Sequence, residues 1–267
     1  MKEIILWEIN RKKKYIFWWT IAISLTIILI LSIYPSIRNQ FKTFDDLIKQ
    51  LPAAFMNLKT GGASESMVSP IGWLNSQLYF VTLPILFLIM SIGLGSSILL
   101  TDEKEHTLEL VLARPISRTK LLLSKLISYL IIIAIPWLIS SMVTSLTTVI
   151  IHLSISQLHL IIADIWLLLF ILVYGLVGFA ISTVLPKTKR LGASIATMLA
   201  FLGYLLTSLA NLNHYMLDLA KLFPWYYFSP SDLLAGNINT GLSIYLLGLS
   251  VITLLISFIG FNRRDLI

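Results

Sequence analysis

The sequence predicts an all-α integral membrane protein with six transmembrane helices, and three observations predict it. Of the 267 residues, 57% are hydrophobic and only 12% are charged, where a soluble domain carries about 25% charged residues. Six apolar segments are long enough to cross a hydrocarbon layer, which takes roughly 20 helical residues at about 1.5 Å each. The basic residues cluster where these segments end, as they do on the cytoplasmic side of membrane proteins.

The first span is read over residues 16–34. It carries no charge, follows Arg11-Lys12-Lys13-Lys14 and places Trp18 and Trp19 at the interface. It is too long for a signal-peptide core, and Ser32-Ile33-Tyr34-Pro35 lacks a small-x-small cleavage pattern, so it is expected to stay as an anchor. The second span, 71–100, is longer than one crossing needs and is expected to tilt or to extend past the membrane. The third, 126–151, contains Pro136. The fourth, fifth and sixth are read over 165–185, 191–213 and 241–261. No segment between them reaches the roughly 40 residues that an independent core needs, so residues 1–267 are expected to form a single transmembrane domain.

Charge sets the orientation. Fifteen of the twenty Lys and Arg fall in four groups: Lys2 with Arg11 to Lys14; Lys104, Arg114, Arg118, Lys120 and Lys125; Lys187, Lys189 and Arg190; Arg263 and Arg264. The segments 35–70, 152–164 and 214–240 hold the other five, Arg38, Lys42, Lys49, Lys59 and Lys221. This bias places both termini in the cytoplasm and accounts for the net charge of +7 without a nucleic-acid partner.

Several chemistries are not expected. The chain has no cysteine, which removes thiolate ligands, disulfides and a cysteine nucleophile. No G-x-x-x-x-G-K-[ST] phosphate loop occurs, and the spans carry no Ser-His, Asp-Asp or H-E-x-x-H protease arrangement. His152 and His159 read as solvated loop residues with no third ligand nearby. No catalytic, cofactor-binding or metal-binding residue is therefore assigned, and enzymatic function is not expected. The spans carry no charge at mid-depth; Asp164 and Lys125 stand at span edges, where they are expected to snorkel to the interface, so ion coupling is not expected either.

The segment after the second span is the most informative. Asp102 with Glu105 three residues on has the form of a helix N-cap. Acidic Asp102, Glu103, Glu105 and Glu109 lie early and basic Arg114 and Arg118 lie late, matching the helix dipole. Leu108, Val111 and Leu112 form an i, i+3, i+4 stripe, and Pro115 ends the helix. A short amphipathic cytoplasmic helix is predicted, either as an ordinary connector or as a docking element.

Resemblance separates these two. Glu105-x-Thr107-Leu108-Glu109-x-x-Leu112-x-x-Pro115-Ile116-Ser117-Arg118, running on to Leu123-Ser124-Lys125-Leu126, resembles the signature of type-2 ABC transporter permeases. His106 stands where that family commonly has a small residue. Gly260-Phe261-Asn262-Arg263-Arg264-Asp265 is similar to the family's ending, and Phe223-Pro224-Trp225-Tyr226-Tyr227-Phe228-Ser229-Pro230 to its loop before the last helix.

The resemblance implies the permease subunit of an ATP-driven ABC exporter in the bacterial cytoplasmic membrane. It implies an N-terminal amphipathic elbow helix, a cytoplasmic coupling helix over 102–118, and re-entrant half-helices before the last span. The elbow maps onto Met1 to Lys14, where a basic membrane-surface tail is the alternative; the headgroup level suits the aromatic run Trp225 to Phe228. The implied partners are two copies of an ABC ATPase, which would bind ATP and Mg, a second permease half of the same or a homologous chain, and membrane lipid. Leu108, Leu112 and Ile116 are assigned as the docking surface, with Glu105, Glu109, Arg114 and Arg118 at its rim and Pro115 as its stop. Phe41, Phe44, Leu47, Ile48 and Leu51 read as an interfacial helix, an anchor or a lid. Two other functions stay open: a non-transport structural subunit of a membrane complex, and an ATP-independent carrier or channel.

Overall fold

A computed structural model of the chain describes residues 1–38, 50–104, 117–185, 191–210 and 214–263. Among them there is no strand. The helices are α1 (Lys2–Arg38), α2 (Ala53–Thr60), α3 (Pro70–Trp73), a π-helical turn (Leu74–Tyr79), α4 (Thr82–Ser97), α5 (Leu100–Lys104), α6 (Arg118–Ile150) and α7 (Gln157–Val184). They continue as α8 (Leu191–Leu209), α9 (His214–Ala220), α10 (Pro224–Tyr227), α11 (Pro230–Ala235) and α12 (Thr240–Arg263). Six are long and apolar enough to cross a membrane: α1, the run Pro70–Ser97, α6, α7, α8 and α12. The chain is thus an all-α integral membrane protein.

The first difference from the sequence reading is at the N-terminus. The elbow expected over residues 1–14 is not a separate helix; it is the beginning of α1, which runs without interruption from Lys2 to Arg38. Residues 2–34 contain neither Gly nor Pro, so nothing in the backbone invites a break. The buried side of α1, Ile16, Ile23, Ile27, Leu31 and Tyr34, also extends down to Glu8. At about 1.5 Å per residue α1 reaches roughly 55 Å, well beyond a hydrocarbon layer of about 30 Å.

The long second segment is resolved into pieces. Ser69 caps α3 by accepting from the Gly72 N–H at 3.0 Å, with Pro70 at the first helical position. The π-helical turn follows and carries one extra residue per turn, which re-aims Tyr79 inward before α4 begins at Thr82. Asn75, buried in this turn, donates to the Thr60 carbonyl and so attaches α2.

The centre of the bundle is the pair α4 and α7. A Cβ on Gly95 would stand 2.3 Å from the Gly175 carbonyl oxygen, so only glycine allows this approach. The contact lets Ser91 Oγ donate to the Ile171 carbonyl at 3.0 Å and pair with the Tyr129 hydroxyl of α6 at 2.6 Å. Close backbone approach at small residues, with hydroxyls bridging helices, is how membrane helices associate without a hydrophobic driving force between them. On the other side α1 lies along α6.

The short helices before the last span fold against this core. Ser229 and Pro230 start α11 as N-cap and first helical residue, and Gly236 ends it at φ +91°. Part of the aromatic run turns into the protein interior. Trp225 and Phe228 are buried, Trp225 meeting Phe170, Phe80 and Tyr204 edge-on and Phe228 stacking on Phe170 at 4.5 Å between centroids. Edge-on and offset-stacked ring pairs add to the area that these side chains bury.

Candidate functional site at the root of the coupling segment

Of the residues assigned to the coupling segment, Glu105, Leu108, Glu109, Leu112, Arg114, Pro115 and Ile116 lie outside the described residues, as do Phe41, Phe44, Leu47 and Ile48. Arg118 is described. It is the first residue of α6, follows the cap formed by Ser117, and donates to the Asn262 carbonyl of α12 at 3.4 Å. Asp102 lies inside α5, which starts at Leu100, and is therefore not the first cap that the sequence suggested.

Its carboxylate has another set of partners. Asp102 Oδ1 accepts from Arg11 Nη1 of α1 at 2.8 Å, and Oδ2 pairs with Lys125 Nζ of α6. Lys125 also donates to Glu8 Oε2 of α1, and Glu8 Oε1 lies 3.6 Å from Arg11 Nη2. Among the described residues, two acids and two bases thus form one linked ion-pair group joining α1, α5 and α6. Glu8 and Lys125 are fully buried and Asp102 is 3% exposed. The Trp7 ring covers the group, with Arg11 Cζ 4.6 Å and Lys125 Nζ 5.3 Å from its centroid, a cation–π arrangement.

Lys125 therefore does not snorkel. It stands two turns into α6, on the face that packs against α1, and water is replaced by carboxylates. Burying charges is tolerated only when each finds a partner, which this group provides. Its position gives it mechanical meaning. In sequence Asp102 precedes residues 105–116 and Lys125 follows them, so the helices on either side of that stretch, α5 and α6, are tied to each other and to α1.

Asp164 also departs from its expected place. The fourth long helix starts at Gln157, not near residue 165, so Asp164 is two turns inside α7. It is 3% exposed and accepts from Tyr79 Oη at 2.7 Å and Ser141 Oγ at 2.5 Å. His159 belongs to the first turn of α7, where its Nδ1 lies 3.1 Å from the Leu234 carbonyl, instead of being a solvated loop residue.

The sequence reading missed Glu8 and Arg11 as members of the charged group. The available signal was Lys125, a base at the start of a run otherwise free of charge, which must either reach water or be neutralised. Sequence could not choose among Glu3, Glu8, Asp102, Glu103, Glu105 and Glu109 as its partners, because the choice depends on α1 continuing straight past the membrane.

No curated protein matches this chain. The model of one family, ABC-2 family transporter protein, matches residues 11–266, a stretch that takes in Arg11, Asp102 and Lys125, α1 from Arg11 onward, the other five long helices and residues 102–118. With its six apolar helices and its match along nearly all of its length, this chain belongs to the ABC-2 transporter family, as a multi-pass membrane permease of an ABC transporter.

Proposed function

We propose that the chain is the membrane half of an ATP-driven exporter and that the force enters through residues 102–118. The observation that carries this reading is the buried group of Glu8, Arg11, Asp102 and Lys125 at the root of that segment. A separate ATPase gripping Leu108, Leu112 and Ile116, with Glu105, Glu109, Arg114 and Arg118 at the rim, pulls on a handle whose two ends are locked together. The lock passes the motion to α1 and α6, and from α6 through the Ser91–Tyr129 pair to the α4–α7 centre. Rigid-body motion of whole helices is the expected response of a packed, bistable bundle.

In this reading two ATPase copies bind ATP and Mg, and two permease halves, identical or homologous, enclose the path. Both termini face the cytoplasm of a bacterial cell, as the distribution of basic residues supports. The sequence contains no phosphate loop, in agreement with a motor supplied by another chain. Co-expression with the cognate ATPase tests the proposal. A stable complex whose hydrolysis rate changes when the permease is present supports it; a permease that moves its cargo in liposomes without ATPase or ATP contradicts it.

A further inference from the structure

The end of the bundle opposite the Glu8 group holds one buried carboxyl that the coupling scheme does not use. Asp164 of α7 accepts from Tyr79 of the π-helical turn and from Ser141 of α6, and its main-chain carbonyl accepts from Trp137 Nε1 at 2.8 Å. Three donors from two elements, the π-helical turn and α6, therefore converge on one residue of α7. We propose that Asp164 is a proton-binding site, neutral in the closed arrangement described here and ionised when that end opens to water.

Three observations support this. The first is the absence of a counter-charge. Asp164 makes no ion pair among the described residues. Along α4 and α8 there is no charged residue at all, α12 carries only Arg263 at its far end, and the bases of α6 are Arg118, Lys120 and Lys125, also at the far end. On elements that pack against the π-helical turn, Lys59 of α2 and Arg38 of α1 make no pair with it. On α7 itself His159 faces Leu234, and the neighbouring Asp232 of α11 is exposed. An unpaired carboxylate inside a membrane protein is costly, and intramembrane acids without a structural pair mark proton or ion sites.

The second observation is the chemistry of its partners. Tyr and Ser hydroxyls can accept as well as donate, so the node is satisfied with or without a proton on Asp164. An arginine or a lysine there would have fixed the ionised form. The third is the π-helical turn, a rare geometry often found at functional sites, which is what brings Tyr79 to the carboxyl. The proton comes from the water at that end and returns to it, so no net charge crosses the membrane. Because the proton is bound in the closed arrangement, acid holds this end closed and alkali frees it. The inference stands independently of the ATPase reading.

Infrared difference spectroscopy of the whole protein in lipid nanodiscs, titrated between about pH 5 and pH 9, tests it. One protonated-carboxyl band is expected to vanish as pH rises. It should be absent from Asp164→Asn and unchanged in Asp218→Asn, whose acid is exposed. If Asp164→Asn does not fold, Tyr79→Phe and Ser141→Ala keep the acid and remove one hydrogen bond each, and both should displace the midpoint of the same band. A carboxylate that stays ionised throughout, a band that never titrates, or a titrating band indifferent to all three substitutions overturns the proposal.

Discussion

Lys125 and Glu8, 117 positions apart in the chain, form a fully buried ion pair, and this pair fixes where α1 meets α6. Replacing Lys125 with Met removes the base that both buried carboxylates share with Arg11. The expected loss is about 3–5 kcal/mol, the range for breaking a buried pair from one side. Thermal unfolding of the purified protein should show it, and Lys125→Met combined with Glu8→Gln should cost less than the two changes added together. Additive losses would mean that the two residues do not act as a pair.

The α4–α7 contact makes a second prediction. Gly95→Ala places a methyl 2.3 Å from the Gly175 carbonyl oxygen, which is backbone and cannot turn aside. A loss of about 1–3 kcal/mol is expected from such overpacking. Size-exclusion profiles of detergent extracts should show less monodisperse protein. Gly248→Ala, where an added Cβ meets nothing within 4 Å, should behave as wild type.

Trp225 makes a third. Its ring is buried among Phe80, Phe170 and Tyr204, so Trp225→Ala opens a large hole in the aromatic cluster. The expected cost is about 3–5 kcal/mol. Trp225→Phe, which keeps most of the ring area, should recover most of that melting temperature.

These predictions show what the sequence could and could not reveal. Helix class and number were legible, because long runs free of charge have no other stable form in lipid. Boundaries failed where polar residues were read as edges. Asp164 ended a predicted loop because it is charged, yet Tyr79 and Ser141 satisfy it and α7 begins two turns before it. Lys125 was read as snorkelling for the same reason, while its true partners are Glu8 and Asp102. Both errors come from pairings between distant parts of the chain, which periodicity within one helix cannot report. The elbow failed differently: a basic stretch next to a span looks interfacial, but a helix with no Gly or Pro had no reason to bend.

Orientation gives a fourth prediction, favoured by a chain without cysteine. Single cysteines at Ser64 and Ser154, both exposed at the end opposite Glu8, should react with an impermeant thiol reagent added to intact cells. One at exposed Ser117 should react only after the membrane is opened. The reverse pattern would place the charged group, and with it the coupling segment, on the outside.

The central claim is that a separate ATPase drives this permease through the segment rooted at Asp102 and Lys125. Replacing Leu108 and Leu112 together by Asp puts two charges into the assigned docking surface, at a cost of several kcal/mol for burial without partners. Neither residue lies in a span read from the sequence, so membrane abundance should be unchanged. The deciding measurement is the amount of ATPase that co-purifies with this double variant and the ATP-driven transport that it supports. The account predicts normal abundance with loss of association or of transport, whereas the same change at Phe41 and Phe44 should leave association intact. Full association with transport at the wild-type rate in the Leu108 and Leu112 variant would contradict it and place the handle elsewhere.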